Sequence, residues 1–229
     1  MLRALIFDFN GVIVNDEPLH LQLFQRVLTE EGIRLEAADY YEKYLGFDDR
    51  GCFEAALAEA GQEVSHGRIA RLIARKAAYY QEEVRRDGYP FFPGAIELVR
   101  EAATRMPLVL VSGALRDEVV GALRQAGIEG AFKRLITAED VERGKPDPEG
   151  YALAVAALNA EAPLPPRLIH PHECAAIEDS PAGLEAAAAA GLRTVGVAQT
   201  YSAEALDGAE VVLDRLEGTT LDLLLSRLG

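Results

Sequence analysis

The sequence predicts an α/β protein with a doubly wound parallel sheet as its core and a helical domain inserted into that core. Short apolar runs recur along the chain, and segments with helical periodicity separate most of them. Strands that alternate with helices favour a parallel sheet with right-handed crossovers. A long helical stretch, from about residue 15 to residue 90, interrupts this alternation near the N-terminus.

The predicted strands do not alternate apolar with polar residues, as expected where helices cover both faces of a sheet. They lie at residues 4–7, 108–111, 135–136, 175–177, 195–197 and 211–213. The helical segments between them cover residues 94–105, 117–126, 148–158 and 181–190. Proline suits the first turn of a helix and glycine suits its end, and such residues stand at Pro148, Pro181, Gly127 and Gly191.

The interrupting stretch has apolar residues at helical spacing, such as Leu19, Leu23 and Val27, and no run that indicates a strand. A segment rich in proline and glycine, residues 89–94, follows it like a hinge. We therefore expect a Rossmann-like core from residues 1–14 and 92–229, with residues 15–91 as a helical cap domain.

Composition limits the partners and the location of this chain. Lys and Arg number 23 against 37 Asp and Glu, which gives a net charge of −14. So acidic a surface repels phosphate backbones and anionic lipids, and we expect no nucleic-acid or membrane partner. Cys52 and Cys174 are too few for a disulfide framework. The apolar run at 4–7 is too short for a signal peptide, so we expect a cytoplasmic protein. We also expect the protein to be a monomer or a weak dimer.

Chemically reactive side chains follow four of the predicted strands. In open parallel sheets, ligands bind beyond the carboxyl ends of the strands, so groups placed there converge on one crevice. Considered alone, a polar residue after a strand more often belongs to a turn, caps a helix or lies in a solvated loop. Their joint placement at four strand ends favours a site instead. The residues are Asp8, Ser112 with Gly113, Lys145, and Glu178 with Asp179.

These groups suit phosphoryl transfer. Magnesium prefers carboxylate oxygens, which Asp8 and Asp179 would supply with Glu178 nearby. Lys145 and the Ser112 hydroxyl, with backbone N–H groups around Gly11 and Gly113, would offset charge on a transferring phosphoryl group. Asp8 would then attack phosphorus and form an aspartyl-phosphate, which water or another acceptor removes.

The sequence resembles the haloacid dehalogenase superfamily over nearly its whole length. The resemblance implies a Rossmann-like core, a helical cap, Mg²⁺ and a small phosphorylated metabolite of the sugar-phosphate type. It implies catalytic roles for Asp8, Asn10 and Lys145, and a metal site that adds the backbone carbonyl of Asn10 to Glu178 and the two aspartates. The motifs are Asp8-Phe9-Asn10-Gly11-Val12, Ser112, Lys145-Pro146 and Glu178-Asp179-Ser180-Pro181-Ala182-Gly183.

Residues 11–20 further resemble the entry to the helical cap in the beta-phosphoglucomutase and phosphoglycolate phosphatase branch. The same resemblance implies that His20, Arg50 and Lys76 contact the substrate from the cap. Each has an ordinary alternative: His20 packs in a core, and Arg50 and Lys76 are surface charges.

The chain departs from the family pattern at Asn10, because phosphatases of the family usually carry an Asp general acid and base at that position. Asparagine keeps its backbone carbonyl but does not shuttle a proton, and losing a positioned acid typically costs a factor of roughly 10²–10⁴ in rate. Asn15 also replaces an Asp that is usual in the cap-entry motif.

Several functions remain open at this point. The chain is a slow phosphatase, a beta-phosphoglucomutase-like mutase, or a weakened protein that binds a phosphometabolite. A hydrolase acting on carbon, which works without magnesium, is disfavoured by the apparent metal site. Another explanation of Asn10 is that it is an engineered Asp-to-Asn replacement, made to trap a complex. Finally, because Gly11 follows Asn10, deamidation would create the missing acid after synthesis and make the fresh protein a latent enzyme.

Overall fold

The computed structural model describes residues 1–45 and 47–229 and divides into two compact units. The first, which we call the core unit, consists of Met1–Asn15 and Tyr89–Gly229. The second, the helical unit, consists of Asp16–Gly88. The sequence-based boundaries enclose residues 15–91 as the inserted domain.

The core unit contains one parallel sheet with the strand order β3-β2-β1-β4-β5-β6, and this confirms the predicted α/β class. Each predicted apolar run lies within one of its strands. The sheet therefore places β1 in the middle, with β2 on one side and β4 on the other. The strands are β1 (Ala4–Phe7), β2 (Leu108–Val111), β3 (Phe132–Ile136), β4 (Cys174–Glu178), β5 (Arg193–Val197) and β6 (Val211–Leu213).

Helices make up the regular structure of the helical unit within its described residues. Apolar side chains from three of them, including Phe24, Phe53 and Ile69, form a core of its own. The Asp48 carboxylate caps one helix by accepting a hydrogen bond from the Gly51 amide. The helices are α1 (Glu17–Glu30), α2 (Ala37–Asp39), α3 (Asp49–Glu59) and α4 (His66–Asp87), and one π-helical turn (Tyr40–Tyr44) follows α2.

The core unit also contains a helix that the sequence analysis does not predict, α9. Its buried residues Leu221, Leu224 and Leu228 have helical spacing, and the Thr220 hydroxyl accepts a hydrogen bond from the Leu223 amide at its start. That spacing was the available signal. The helices of this unit are α5 (Ala95–Ala103), α6 (Arg116–Ala126), α7 (Glu149–Ala160), α8 (Pro181–Ala189) and α9 (Leu221–Leu228).

Alternate residues of β1 point to opposite faces of the sheet, and each face has its own apolar cluster. Leu5 and Phe7 pack in the cluster that includes residues of α5, α6 and α9. Ala4 and Ile6 pack in the cluster that includes residues of α7 and α8. Each fully buried Leu, Ile or Phe contributes roughly 1.5–3 kcal/mol. Burial on both faces explains why β1 is a continuous apolar run.

Two further features of the fold are its cysteines and the character of its helices. Cys52 and Cys174 are free and buried. Within residues 1–45 and 47–229, we find no helix with the length and apolar character that crossing a lipid bilayer demands.

Gly94 provides a test of the core packing. It has a φ of 84°, and a Cβ there would lie 2.4 Å from the Leu216 carbonyl oxygen. We expect Gly94→Ala to lower the free energy of unfolding by about 2–5 kcal/mol, the sum of left-handed strain and overpacking. Gly218 is the matched control, because its φ is 75° and a Cβ there meets nothing within 4 Å. Gly218→Ala should cost only about 1–2 kcal/mol in urea unfolding, and equal losses in both variants would contradict the packing argument.

Candidate active site

Three carboxylates meet at the carboxyl ends of β1 and β4. Asp8 follows β1, Glu178 ends β4 and Asp179 comes next. Phe7 pairs with Ile177, so the residues after them lie level with each other. One carboxylate oxygen from each acid lies within 4.8 Å of the others, and all three side chains are buried. The structure thus brings together the acidic residues that the sequence predicted.

Lys145 joins two of these acids. Its Nζ atom lies 2.5 Å from Asp8 Oδ1 and 2.6 Å from Glu178 Oε1. Burial lowers the pKa of the ammonium, but Asp8 and Glu178 together raise it above its usual value. Lys145 therefore stays protonated and offsets part of the charge of the acidic group.

Glu178 is held by donors on both of its carboxylate oxygens. The Tyr151 hydroxyl donates to Oε1 at 2.5 Å, beside Lys145. The Ser180 hydroxyl and the Asp179 amide donate to Oε2, each at 3.2 Å. With both oxygens engaged, Glu178 anchors Lys145. The sequence analysis missed Tyr151, although its position on α7, six residues after Lys145 on the apolar face, was visible.

Burial also acts on the two aspartates. It raises the pKa of Asp8 to about 7, with Glu178 adding to the effect and Lys145 opposing it. Burial and then the neighbouring carboxylates raise the pKa of Asp179 well above its usual value, while a hydrogen bond with Thr200 works in the opposite direction. Buried carboxylates that repel one another form a set of oxygen donors suited to a hard divalent cation, so these residues fit Mg²⁺.

Two glycines allow the carboxylates to approach the backbone closely. A Cβ at Gly11 would lie 1.8 Å from Asp179 Oδ2, and Gly11 has a φ of 75°. A Cβ at Gly183, in the first turn of α8, would lie 2.0 Å from Glu178 Cδ. Any side chain at either position would displace an acid of the site.

The residues after β5 support the same site, and the sequence analysis assigned nothing to them. The Gln199 side chain donates to the Gly11 carbonyl oxygen at 2.9 Å and accepts from the Leu216 amide at 3.1 Å. Thr200 hydrogen-bonds Asp179. Polar residues after a fifth strand end were the available signal, by the same rule that indicated the other four.

Ser112 lies at the end of β2 and contacts the residue that departs from the family pattern. Its hydroxyl donates to Asn10 Oδ1 at 3.4 Å and accepts from the Ala114 amide at 2.9 Å. A Cβ at the adjacent Gly113 would meet nothing within 4 Å. The structure therefore places the predicted phosphate-binding residues Ser112 and Gly113 at a strand end with open space, with Ser112 beside Asn10.

The Gly11 amide bears on two predictions. It donates to the Val14 carbonyl oxygen at 2.9 Å. The prediction that Gly11 binds phosphate through backbone N–H groups therefore gains no support from its own amide. Deamidation of Asn10 requires that same nitrogen to attack the Asn10 side chain, so the hydrogen bond to Val14 opposes the latent-enzyme hypothesis.

In the helical unit, Lys76 is buried, with 2% of its side chain exposed. Its Nζ atom lies 2.5 Å from Asp49 Oδ1 and 2.7 Å from His20 Nδ1, and it sits 4.2 Å from the centre of the Phe24 ring. The alternative that Lys76 is a surface charge is wrong. The structure brings Lys76 and His20 together.

Both ring nitrogens of His20 have partners within the helical unit. Nδ1 lies 2.7 Å from Lys76 Nζ, and Nε2 lies 3.2 Å from Asp16 Oδ2. Asp16 is fully buried and also accepts from the Tyr80 hydroxyl at 2.6 Å. Arg50 lies apart on the surface, half exposed, and pairs with Glu54 at 3.7 Å.

Comparison with known proteins agrees with this geometry. A family model described as haloacid dehalogenase-like hydrolase matches residues 2–191. The chain is 34% identical over 224 residues to validoxylamine A 7'-phosphate phosphatase from Streptomyces hygroscopicus subsp. limoneus, and the match covers 94% of this chain and 95% of that protein. It is 26% identical over 226 residues to beta-phosphoglucomutase from Bacillus subtilis, with 97% and 94% covered.

Among solved structures, beta-phosphoglucomutase from Clostridium difficile superposes with a TM-score of 0.84 at 22% identity, covering 100% of this chain and 97% of that one. This likeness shows the fold. Together with the family match, it confirms the resemblance that the motifs indicated: the chain belongs to the haloacid dehalogenase-like hydrolase family and is a hydrolase of that family.

Proposed function

We propose that the chain is a magnesium-dependent phosphatase or phosphoryl-transfer enzyme that acts on a small phosphorylated metabolite through an aspartyl-phosphate on Asp8. The observation that carries this proposal is the Asp8 carboxylate, which lies 2.5 Å from the Lys145 ammonium and beside two further buried carboxylates. A nucleophilic carboxylate, a fixed cation and a set of oxygen ligands at adjacent strand ends are the groups that phosphoryl transfer needs.

Asp8 and Asp179 would hold Mg²⁺ with the backbone carbonyl of Asn10, and Glu178 would complete the acidic environment. Bound Mg²⁺ supplies positive charge to the phosphoryl oxygens and polarises the bond to phosphorus. Glu178 is engaged by four donors, so we assign it chiefly to positioning Lys145.

The remaining steps use side chains of the chain itself. An oxygen of Asp8 attacks phosphorus, and the ester oxygen leaves with the bonding electron pair, while Lys145 and the Ser112 hydroxyl bind the phosphoryl oxygens and offset their growing charge. The amide of Gly113, at the same strand end, is a further donor for this purpose. Water or another acceptor then takes the phosphoryl group and restores the Asp8 carboxylate.

Asn10 governs which leaving groups depart readily. Its amide donates and accepts hydrogen bonds but transfers no proton, so a sugar alkoxide leaves slowly and a nitrophenolate leaves much faster. Turnover should therefore depend steeply on leaving-group pKa. The same residue favours a second candidate function, a protein that binds a phosphometabolite with little turnover.

The relatives support a sugar-like substrate, because they include a validoxylamine A 7'-phosphate phosphatase and a beta-phosphoglucomutase. The second name keeps a mutase activity as an alternative. We also propose that the helical unit acts as the cap, with His20, Lys76 and Arg50 as substrate contacts, and that the chain works in the cytoplasm as a monomer or weak dimer.

Hydrolysis of 4-nitrophenyl phosphate tests the proposal. We expect release of nitrophenolate that needs Mg²⁺ and stops with EDTA, because the nucleophile and the cation site are both required. Asp8→Asn should abolish it, and Asp179→Ala should abolish it and also weaken Mg²⁺ binding measured by calorimetry. If the parent protein stays inactive under all these conditions, the binding-protein function takes precedence.

The pH dependence of the stabilisation by Mg²⁺ tests the metal site. In the folded state the pKa of Asp8 is raised from 3.8 to about 7. The folded state therefore favours the neutral carboxyl, and the stability that this group contributes is complete below about pH 4 and is lost as the pH rises to about 7. Mg²⁺ binds the ionised carboxylates, so its stabilising effect should be larger at pH 8 than at pH 5.5. Thermal unfolding with Mg²⁺ and with EDTA at both pH values measures this. Asp179→Asn should remove most of the Mg²⁺ effect, and a parent effect that does not change with pH would contradict the assignment.

Restoring the family's usual aspartate at position 10 tests the role of Asn10. Asn10→Asp is nearly isosteric and adds a group that transfers protons, so turnover of alkyl phosphates should rise by roughly 10²–10⁴-fold. Asn10→Ala is the matched control, because it removes the amide without adding a group that transfers protons; its turnover of alkyl phosphates should show no comparable rise. No gain from Asn10→Asp would mean that the family mechanism does not operate in this chain.

A further inference from the structure

Two consecutive polar residues, Gln199 and Thr200, follow the end of β5 at Val197 and contact the groups of the candidate site. Gln199 contacts the turn after the nucleophile, and Thr200 contacts Asp179. In the sheet, β4 lies between β1 and β5. The segment after β5 therefore links the ends of the two strands that carry the buried carboxylates.

The Gln199 side chain holds the turn that follows Asp8. Its Nε2 atom donates to the Gly11 carbonyl oxygen at 2.9 Å, and its Oε1 atom accepts from the Leu216 amide at 3.1 Å. Leu216 is fully buried, so the side chain is anchored at a packed position. A side-chain amide that is bonded at both ends restricts the movement of the groups that it bridges.

The backbone of Gly11 is bonded through both of its polar groups, and this fixes the Asn10 carbonyl that would bind the metal. The Gly11 amide donates to the Val14 carbonyl oxygen at 2.9 Å, and the Gly11 carbonyl oxygen accepts from Gln199. The peptide between Asn10 and Gly11 is trans. A trans peptide is planar, and its carbonyl points away from its N–H group. The bond to Val14 therefore sets the direction of the Asn10 carbonyl.

Thr200 holds the carboxylate of Asp179. Its hydroxyl donates a hydrogen bond to that carboxylate. A Cβ at Gly11 would lie 1.8 Å from Asp179 Oδ2 and 2.7 Å from Thr200 Oγ1, so both side chains pack against the same glycine. The carboxylate is thus confined between a hydrogen-bond donor and the backbone of the turn.

Confined oxygen ligands distinguish between cations of different size. Mg²⁺ requires nearly octahedral geometry with bonds of roughly 2.0–2.1 Å, whereas Ca²⁺ accepts flexible arrangements with bonds of roughly 2.3–2.6 Å. Side chains that hold the ligand oxygens in one geometry should therefore stabilise bound Mg²⁺ more than bound Ca²⁺. Residues that orient metal ligands typically contribute roughly 10–100-fold to metal affinity.

We propose that Gln199 and Thr200 are positioning residues that make the site selective for Mg²⁺ over Ca²⁺. Thr200 orients the Asp179 carboxylate, and Gln199 fixes the turn that presents the Asn10 carbonyl. The inference rests on the proposed function, because it requires a cation at Asp8 and Asp179. It gives the segment after β5 a role in selecting the ion.

Calorimetric titration of the folded protein with Mg²⁺ and with Ca²⁺ tests the proposal. Thr200→Val keeps the shape of the side chain and removes the hydroxyl, so the Kd for Mg²⁺ should rise roughly 10–100-fold. The Kd for Ca²⁺ should change by less than about threefold, because a flexible coordination sphere tolerates the looser carboxylate. Thr200→Ser is the matched control, since it retains the hydroxyl and should preserve the preference for Mg²⁺.

Gln199→Met tests the other contact independently. Methionine is similar in length but lacks the amide, so the preference for Mg²⁺ should fall in the same direction. Circular dichroism and thermal unfolding in EDTA show whether each variant is folded. A merely structural role would weaken the binding of both ions equally, and equal losses in the two variants would overturn the proposal.

Two other outcomes separate this proposal from the function on which it rests. If folded Thr200→Val and Gln199→Met bind Mg²⁺ as tightly as the parent, the positioning role is overturned and the proposed function stands. If the folded parent protein binds no Mg²⁺, both are overturned, because the carboxylates would then not form a magnesium site.

Discussion

The ion pair between Lys145 and the carboxylates of Asp8 and Glu178 is the interaction on which the site depends. The group brings like charges into a buried place, and burial of unpaired charge is costly. Lys145, at 2.5 and 2.6 Å from two of the acids, offsets part of that cost. Removing it would leave buried carboxylates without their shared partner, so the same residue supports the fold of the site and its chemistry.

The parallel sheet makes this pairing possible because β1 and β4 are neighbours and end at the same level. Close approach then depends on glycine, since a Cβ at Gly11 or Gly183 would overlap an acid. Tyr151 and Ser180 satisfy the carboxylate of Glu178. Neighbouring strand ends and occupied lone pairs hold the Asp8 and Glu178 carboxylates in place.

Asn10 is the position at which the proposed chemistry depends on a single side chain. An amide and a carboxyl have nearly the same shape. Only the carboxyl transfers a proton, and a proton is needed both by a poor leaving group and by the attacking water. In the function proposed above, the residue at this position therefore decides whether a side chain supplies that proton.

The sequence by itself predicted the sheet and the family and indicated Asp8, Ser112, Lys145 and Asp179 as candidate site residues, because continuous apolar runs and the groups after them are local signals. It missed α9, Tyr151, Gln199 and Thr200, whose importance comes from contacts with residues distant in the chain. Only the tertiary structure decided that Lys76 is buried against Asp49 and His20, while Arg50 stays on the surface. Burial and pairing depend on neighbours from other helices, and no local pattern carries that information.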